Sequence, residues 1–281
     1  MPNRPDERVI TPQVLRDWPL PDPGDSKLSR GTVLVIGGSR FNPGAVLLAG
    51  EAALRAGAGR LQLAVTDETA IPLSIAVPEA KVVGFPSGGS LPGQVTELAA
   101  DADVILIGPG LDDIGETTEL MRQVLGVADA DTGVVLDAYA LGALSKDPGL
   151  LPRTRAVLTP NITEAGHLLG REPGDDLAGA SRALADRYRA VVSLYGRIAD
   201  PDGRVWREES GDAGLGTSGS GDVRAGIVAG LLGRGAEPAQ AACWAAYAHA
   251  VSGQRLIPRR GRTGFLAREL VDQVADTLAT V

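Results

Sequence analysis

Between residues 214 and 226 the chain reads Gly-Leu-Gly-Thr-Ser-Gly-Ser-Gly-Asp-Val-Arg-Ala-Gly, which crowds five glycines, three hydroxyls and an aspartate together. Val223 to Leu232 reads as a small-residue helix, so the glycines fall at or just before its N-terminus. A helix start offers unpaired N–H groups and the positive end of the dipole, and glycine lets backbone close around an anion. Gly219, Ser220 and Gly221 are therefore candidates for holding phosphate. Asp222, in the first turn, is a candidate base beside it. The same residues also fit a flexible loop in which Asp222 only caps the helix.

What must position this loop is an alternation of strands and helices. Thr32 to Ile36 is a continuous apolar run closed by Gly37-Gly38-Ser39-Arg40-Phe41-Asn42-Pro43-Gly44. A helix from Ala45 to Ala56, the turn Gly57-Ala58-Gly59 and a strand from Arg60 to Val65 follow. This is a βαβ unit whose loop lies at the carboxyl end of a strand, where open α/β sheets bind ligands. The chain contains neither G-x-G-x-x-G nor a Walker A sequence, which excludes the dinucleotide fingerprint and the ordinary P-loop.

Further apolar strands cover 104–107, 133–136, 156–158 and 190–194. They end in Gly108-Pro109-Gly110-Leu111, Asp137-Ala138-Tyr139, Thr159-Pro160-Asn161-Ile162-Thr163-Glu164 and Tyr195-Gly196-Arg197. Strands that are apolar throughout predict a mainly parallel sheet covered by helices on both faces. Asp200 to Gly203 reads as a hairpin turn, and the chain beyond Asp222 as helices broken near 233–235 and 257–264. With no internal repeat and no linker, residues 28–281 read as one domain. Residues 1–27 read as a polar N-terminal arm with a short helix beginning near Thr11.

A net charge of −8 argues against general binding to nucleic acid or anionic membranes. No apolar leader or membrane-length run is present, so a soluble cytoplasmic protein is expected. One cysteine, Cys243, and two histidines, His167 and His249, exclude a disulfide framework and the usual structural zinc site. Cys243, Trp206 and Trp244 read as core or interface residues, and His167 as surface or half-buried. His249 reads as structural, on a helix backing the nucleotide pocket. Arg255, Arg259, Arg260 and Arg262, near a glycine-rich bend, read as a solvated surface loop.

In series, Val33 to Ser39 with Pro43-Gly44-Ala45, then Ala53 to Gly59, then Gly108 to Leu111, then Gly219 to Val223 resemble the ribokinase-like superfamily. Within it the resemblance is to the ADP/ATP-dependent NAD(P)H-hydrate dehydratases, and it runs from about Lys27 to the end. It implies a three-layer α/β/α sandwich with a mainly parallel central sheet. It also implies an enzyme that repairs the hydrates of NADH and NADPH (NADHX and NADPHX) with ATP or ADP and Mg2+. Phosphorylation of the ring hydroxyl and elimination of phosphate would restore the cofactor.

The resemblance makes Asp222 the base and places the nucleotide at Gly219, Ser220, Gly221, Tyr195 and Gly196. It places the hydrate at Ala45, Gly110, Asn161 and Asp222, the metal at Glu164, and Asp137 at an acidic turn near the site. Read from the residues alone, Asp137 fits a helix cap and Glu164 an N-terminal helix acid that favours the dipole. It implies a homo-oligomer, a dimer or tetramer. Three departures stand out. Tyr195 replaces a common lysine, Asn161-Ile162-Thr163-Glu164 replaces His-Pro-Gly-Glu, and Tyr139 stands where a second aspartate is common. Asn-x-x-Glu is the form found in small-molecule kinases of the superfamily. The alternatives are thus an alcohol kinase, or a nucleotide-binding paralogue with weak catalysis.

Overall fold

Alternate residues along the apolar strands face opposite ways, and both faces of the sheet are covered. The computed structural model describes residues 7–22, 24–88, 90–151 and 155–281. The strands are β1 (Arg8–Val9), β2 (Thr32–Ile36), β3 (Arg60–Thr66), β4 (Ala80–Phe85) and β5 (Val104–Ile107). They continue with β6 (Gly133–Leu136), β7 (Ala156–Leu158), β8 (Val191–Leu194), β9 (Arg197–Ala199) and β10 (Val205–Arg207). They form one sheet in the order β1-β10-β9-β8-β7-β6-β5-β2-β3-β4, in which β9 alone pairs antiparallel to its neighbours.

Val33, Val35, Val104 and Leu106 point into a core shared with the helices Gly44–Arg55, Ser220–Gly233, Pro238–Arg260 and Ala267–Leu278. Leu34, Ile36, Ile105 and Ile107 point into a second core under the helices Gly93–Asp101, Ile114–Leu125, Tyr139–Lys146, Ile162–Leu169 and Leu177–Tyr188. This is the expected three-layer α/β/α sandwich, produced by the two-residue period of the strands.

Two strands are absent from the sequence-based expectation. The two-residue β1 is too short to show a pattern. In β4, Val83 and Phe85 are buried while Lys81 is exposed, as suits a strand at the sheet edge. The described part of the N-terminal arm lies on the domain. β1 pairs with β10, Thr11 caps the helix Pro12–Arg16, and Leu15 is fully buried. Trp18 stacks on Trp206 with ring centroids 5.7 Å apart, and its carbonyl accepts the Trp244 indole N–H at 2.9 Å. The C-terminal break is narrower than expected, because Pro238–Arg260 continues through Pro258 in its last turn.

The helices Gly44–Arg55 and Ser220–Gly233 meet backbone to backbone. A Cβ on Gly226 would lie 2.1 Å from the Ala49 carbonyl oxygen, and one on Gly230 would lie 2.3 Å from that of Ala53. Both contacts have the same register, and one turn closer to the helix starts that register places Asp222 opposite Ala45. Small residues thus set two helix N-termini side by side at the carboxyl edge of the sheet.

Candidate active site

The floor of the site is the point where the strand order reverses, between β2 and β5. Gly38 and Ser39 donate their N–H groups to the Pro109 and Gly110 carbonyls at 2.8 and 2.7 Å. Gly110 has φ 71°, and a Cβ there would lie 2.3 Å from the Asn42 oxygen and 3.1 Å from Ala45 Cβ. Only glycine fits this junction, and it brings Ala45 and Gly110 together.

Beside this floor stands the first turn of Ser220–Gly233. Its N-cap is Gly219, at φ 86°, and no side chain caps the helix. Asp222 is therefore not a cap, and its carboxylate makes no hydrogen bond among the described residues. Burial, followed by the charges of Asp137 and Glu164, raises its pKa from 3.8 to about 7. Such a carboxylate takes up a proton readily near neutral pH.

Gly221 has nothing within 4 Å of where a Cβ would stand, so its open face leaves room for an anion to approach the backbone. Ser220 departs from the expected pattern. Its N–H donates to the Thr217 carbonyl at 3.2 Å, and its hydroxyl is 2.8 Å from His249 Nε2. The N–H groups of Gly221 and Asp222 find no acceptor among the described residues. The turn 217–220 consumes the Ser220 donor that sequence reasoning assigned to phosphate. We expect Gly221→Val to lower turnover at least roughly 100-fold by blocking this approach. The melting temperature should stay unchanged, which a turnover assay and thermal unfolding check together.

Asp137, 5% exposed at the end of β6, accepts the Thr159 hydroxyl at 2.7 Å. The N-cap of the helix that follows it is Ala138, with no side-chain capping bond, so Asp137 belongs to the acidic cluster and does not serve as a cap. Burial raises its pKa while Arg224 opposes the rise. Asn161 and Glu164 close a capping box. The Glu164 N–H donates to Asn161 Oδ1 at 2.9 Å, and the Asn161 N–H donates to Glu164 Oε2 at 2.8 Å. Both residues thus have a structural task at the site's rim. Burial is the largest cause raising the Glu164 pKa.

Asp137, Glu164 and Asp222 offer only oxygen donors, which suit a hard cation. Among the described residues no three His, Cys, Asp or Glu converge closely enough to hold a metal directly. These carboxylates would reach a hard cation only through water.

Tyr195 and Gly196 form the two-residue turn between β8 and β9, with φ 46° and 78°. Positive φ at both positions matches the twist of a tight hairpin. Tyr195 is 70% exposed at that tip, and the Gly196 carbonyl accepts the Glu208 N–H at 2.8 Å. The turn shares the carboxyl edge with the glycine loop.

The Arg224 guanidinium donates to the Thr159 carbonyl at 2.6 Å and faces Asp137 and Glu164. Arg224 is the lone cation of its helix, and a buried cation needs a partner. His249 is more closely involved than expected. Burial and Arg224 lower its pKa to about 3, which keeps the imidazole neutral against Ser220. A depressed histidine contributes stability that is present above pH 6.5 and lost as pH falls toward 3. We expect acid unfolding to steepen across that window and His249→Gln to flatten it, as followed by circular dichroism. His167 is exposed and Cys243 and Trp206 are buried, as expected. Arg255, Arg259 and Arg260, however, lie on the helix Pro238–Arg260 and not in a loop, and Arg260 and Arg262 pair with Glu269 and Asp212 at the surface.

Comparison with known proteins bears on this geometry. The sequence profile described as NAD(P)H-hydrate dehydratase matches residues 33–276. The chain is 42% identical to the ADP-dependent (S)-NAD(P)H-hydrate dehydratase of Xanthomonas campestris, over 96% of each protein. Bifunctional NAD(P)H-hydrate repair enzymes match at 33–36% identity, and the chain spans about half the length of each. The Bacillus subtilis ADP/ATP-dependent NAD(P)H-hydrate dehydratase, co-crystallised with ATP and Mg2+, superposes with a TM-score of 0.84. It is 29% identical, and the match covers 98% of this chain and 99% of that one. A ribokinase-like superfamily protein from Enterococcus faecalis, 24% identical with a TM-score of 0.84 over 98% and 96% of the chains, shares the fold. The alcohol-kinase alternative is not favoured by these relatives.

Proposed function

The chain belongs to the NAD(P)H-hydrate dehydratase family, and from that premise we propose that it dehydrates the hydrates of NADH and NADPH with ATP or ADP. The observation that carries the site assignment is Asp222. It is a carboxylate without a hydrogen-bond partner, raised to about 7, beside the open face of Gly221 at a helix start.

Asp222 accepts the proton of the ring hydroxyl as that oxygen attacks the terminal phosphorus of the nucleotide, whose bridging P–O bond breaks. The Gly221 and Asp222 N–H groups receive the charge that develops on the phosphoryl oxygens. The C–O bond then breaks with its electrons leaving on phosphate. A proton leaves the neighbouring ring carbon, and the double bond of the reduced nicotinamide returns. Phosphate leaves far more readily than hydroxide, which is why dehydration suits a kinase scaffold. Ala45 and Gly110 line the ring's pocket, with Asn161 at its rim, and Tyr195 and Gly196 lie toward the nucleotide. Magnesium, held through water by Glu164, would offset the charge of the phosphates.

A cytoplasmic location goes with a reduced-nicotinamide substrate. The family resemblance supports a homo-oligomer, and light scattering measures its size. The decisive experiment follows recovery of the reduced nicotinamide absorbance from NADH hydrate with ATP or ADP and magnesium. Recovery by the native enzyme that Asp222→Asn abolishes supports the assignment. Absence of recovery with bound nucleotide sinks it.

A further inference from the structure

A cleft of about 430 Å3 opens next to the site's floor and is not used by the chemistry above. Ser39 and Leu111 line it, and the loops that carry them are joined by the Ser39 N–H bond to the Gly110 carbonyl. The cleft therefore lies beside the loop that holds Gly110. Ser39 is 7% exposed, and its hydroxyl oxygen is buried with no hydrogen-bond partner. A buried hydroxyl left unpaired is costly, and a hydroxyl on a bound ligand would satisfy it.

Charge on the walls narrows the ligand further. Asp112 and Glu116 line the mouth with carboxylates, and no lysine, arginine or histidine lines the cleft among the described residues. Arg122, on the same helix as Glu116, is held by Glu119 and Asp147. Carboxylates accept hydrogen bonds from sugar hydroxyls, whereas a phosphate dianion would meet them with no cation to offset the repulsion.

We infer that this cleft holds the part of the dinucleotide carrying the ribose hydroxyls, and that the enzyme prefers NADH hydrate to NADPH hydrate. The inference rests on the dehydratase reading for its substrate, but dinucleotide binding tests it without turnover. The 2′-phosphate is remote from the reacting ring, so discrimination acts on binding and leaves phosphoryl transfer alone.

Calorimetric titration with NADH and with NADPH is the test. NADH should bind about tenfold more tightly or better. The double variant Asp112→Asn, Glu116→Gln should bring the two within about threefold, with an unchanged melting temperature. In the dehydration assay the ratio of kcat/KM for the two hydrates should follow the same pattern. Equal affinities, a ratio that the double variant does not move, or no binding of either dinucleotide overturns the inference. Tighter NADH binding without dehydration of either hydrate would instead sink the dehydratase reading and leave the cleft's selectivity standing.

Discussion

Replacing Asp222 by asparagine should lower turnover of the hydrate roughly 10²–10⁴-fold while nucleotide still binds. Asparagine matches the size of the carboxylate and leaves the helix start unchanged, because no cap is lost. It cannot accept the hydroxyl proton. Calorimetry should show nucleotide affinity retained or improved, since a negative charge beside the phosphates has gone. In the native enzyme kcat/KM should rise with pH along a limb centred near 7, where Asp222 ionises.

The same residue makes a stability prediction of opposite sense. A carboxylate raised from 3.8 to about 7 in the folded state favours folding when protonated, and that contribution is lost as pH rises through the folded value. Asp222→Asn does not ionise. Its melting temperature should match the native enzyme near pH 4 and exceed it at pH 8. Equal melting temperatures at both pH values, together with undiminished turnover, would remove Asp222 from the role of base.

The second large effect is on the fold. Gly226→Ala should destabilise the protein by about 2 kcal/mol and lower the melting temperature by about 4–8 °C. Helix propensity alone points the other way, since alanine is favoured over glycine by about 1 kcal/mol in a helix interior. The deciding contact is the new Cβ, 2.1 Å from the Ala49 carbonyl oxygen. That neighbour is backbone inside another helix, so it cannot swing aside as a flexible side chain would. The helices must separate, and Asp222 then shifts from its place opposite Ala45. A partial loss of turnover should therefore accompany the thermal change. A rise in melting temperature would show that propensity outweighs the contact.

Much of this arrangement was legible in the residues themselves. Continuous apolar strands ending in glycine, proline or acid turns determine a parallel sheet with ligands at one edge, because the strand period and the turn chemistry are local. Gly219 to Asp222 marked a glycine-rich helix start for the same reason. What the sequence left open was decided by contacts between distant segments. Whether Asp222 caps its helix or stands free depended on where the helix begins. The expected Ser220 donor was lost to Thr217 through a local turn, and its hydroxyl to His249, 29 residues away. Asn161 and Glu164 stood as ligands by resemblance, and their reciprocal bonds add a capping role that the sequence reading did not contain. The raised pKa of Asp222 belongs wholly to the tertiary structure. It arises from burial and from Asp137 and Glu164, carboxylates on different turns that only the folded sheet edge brings within electrostatic reach of it.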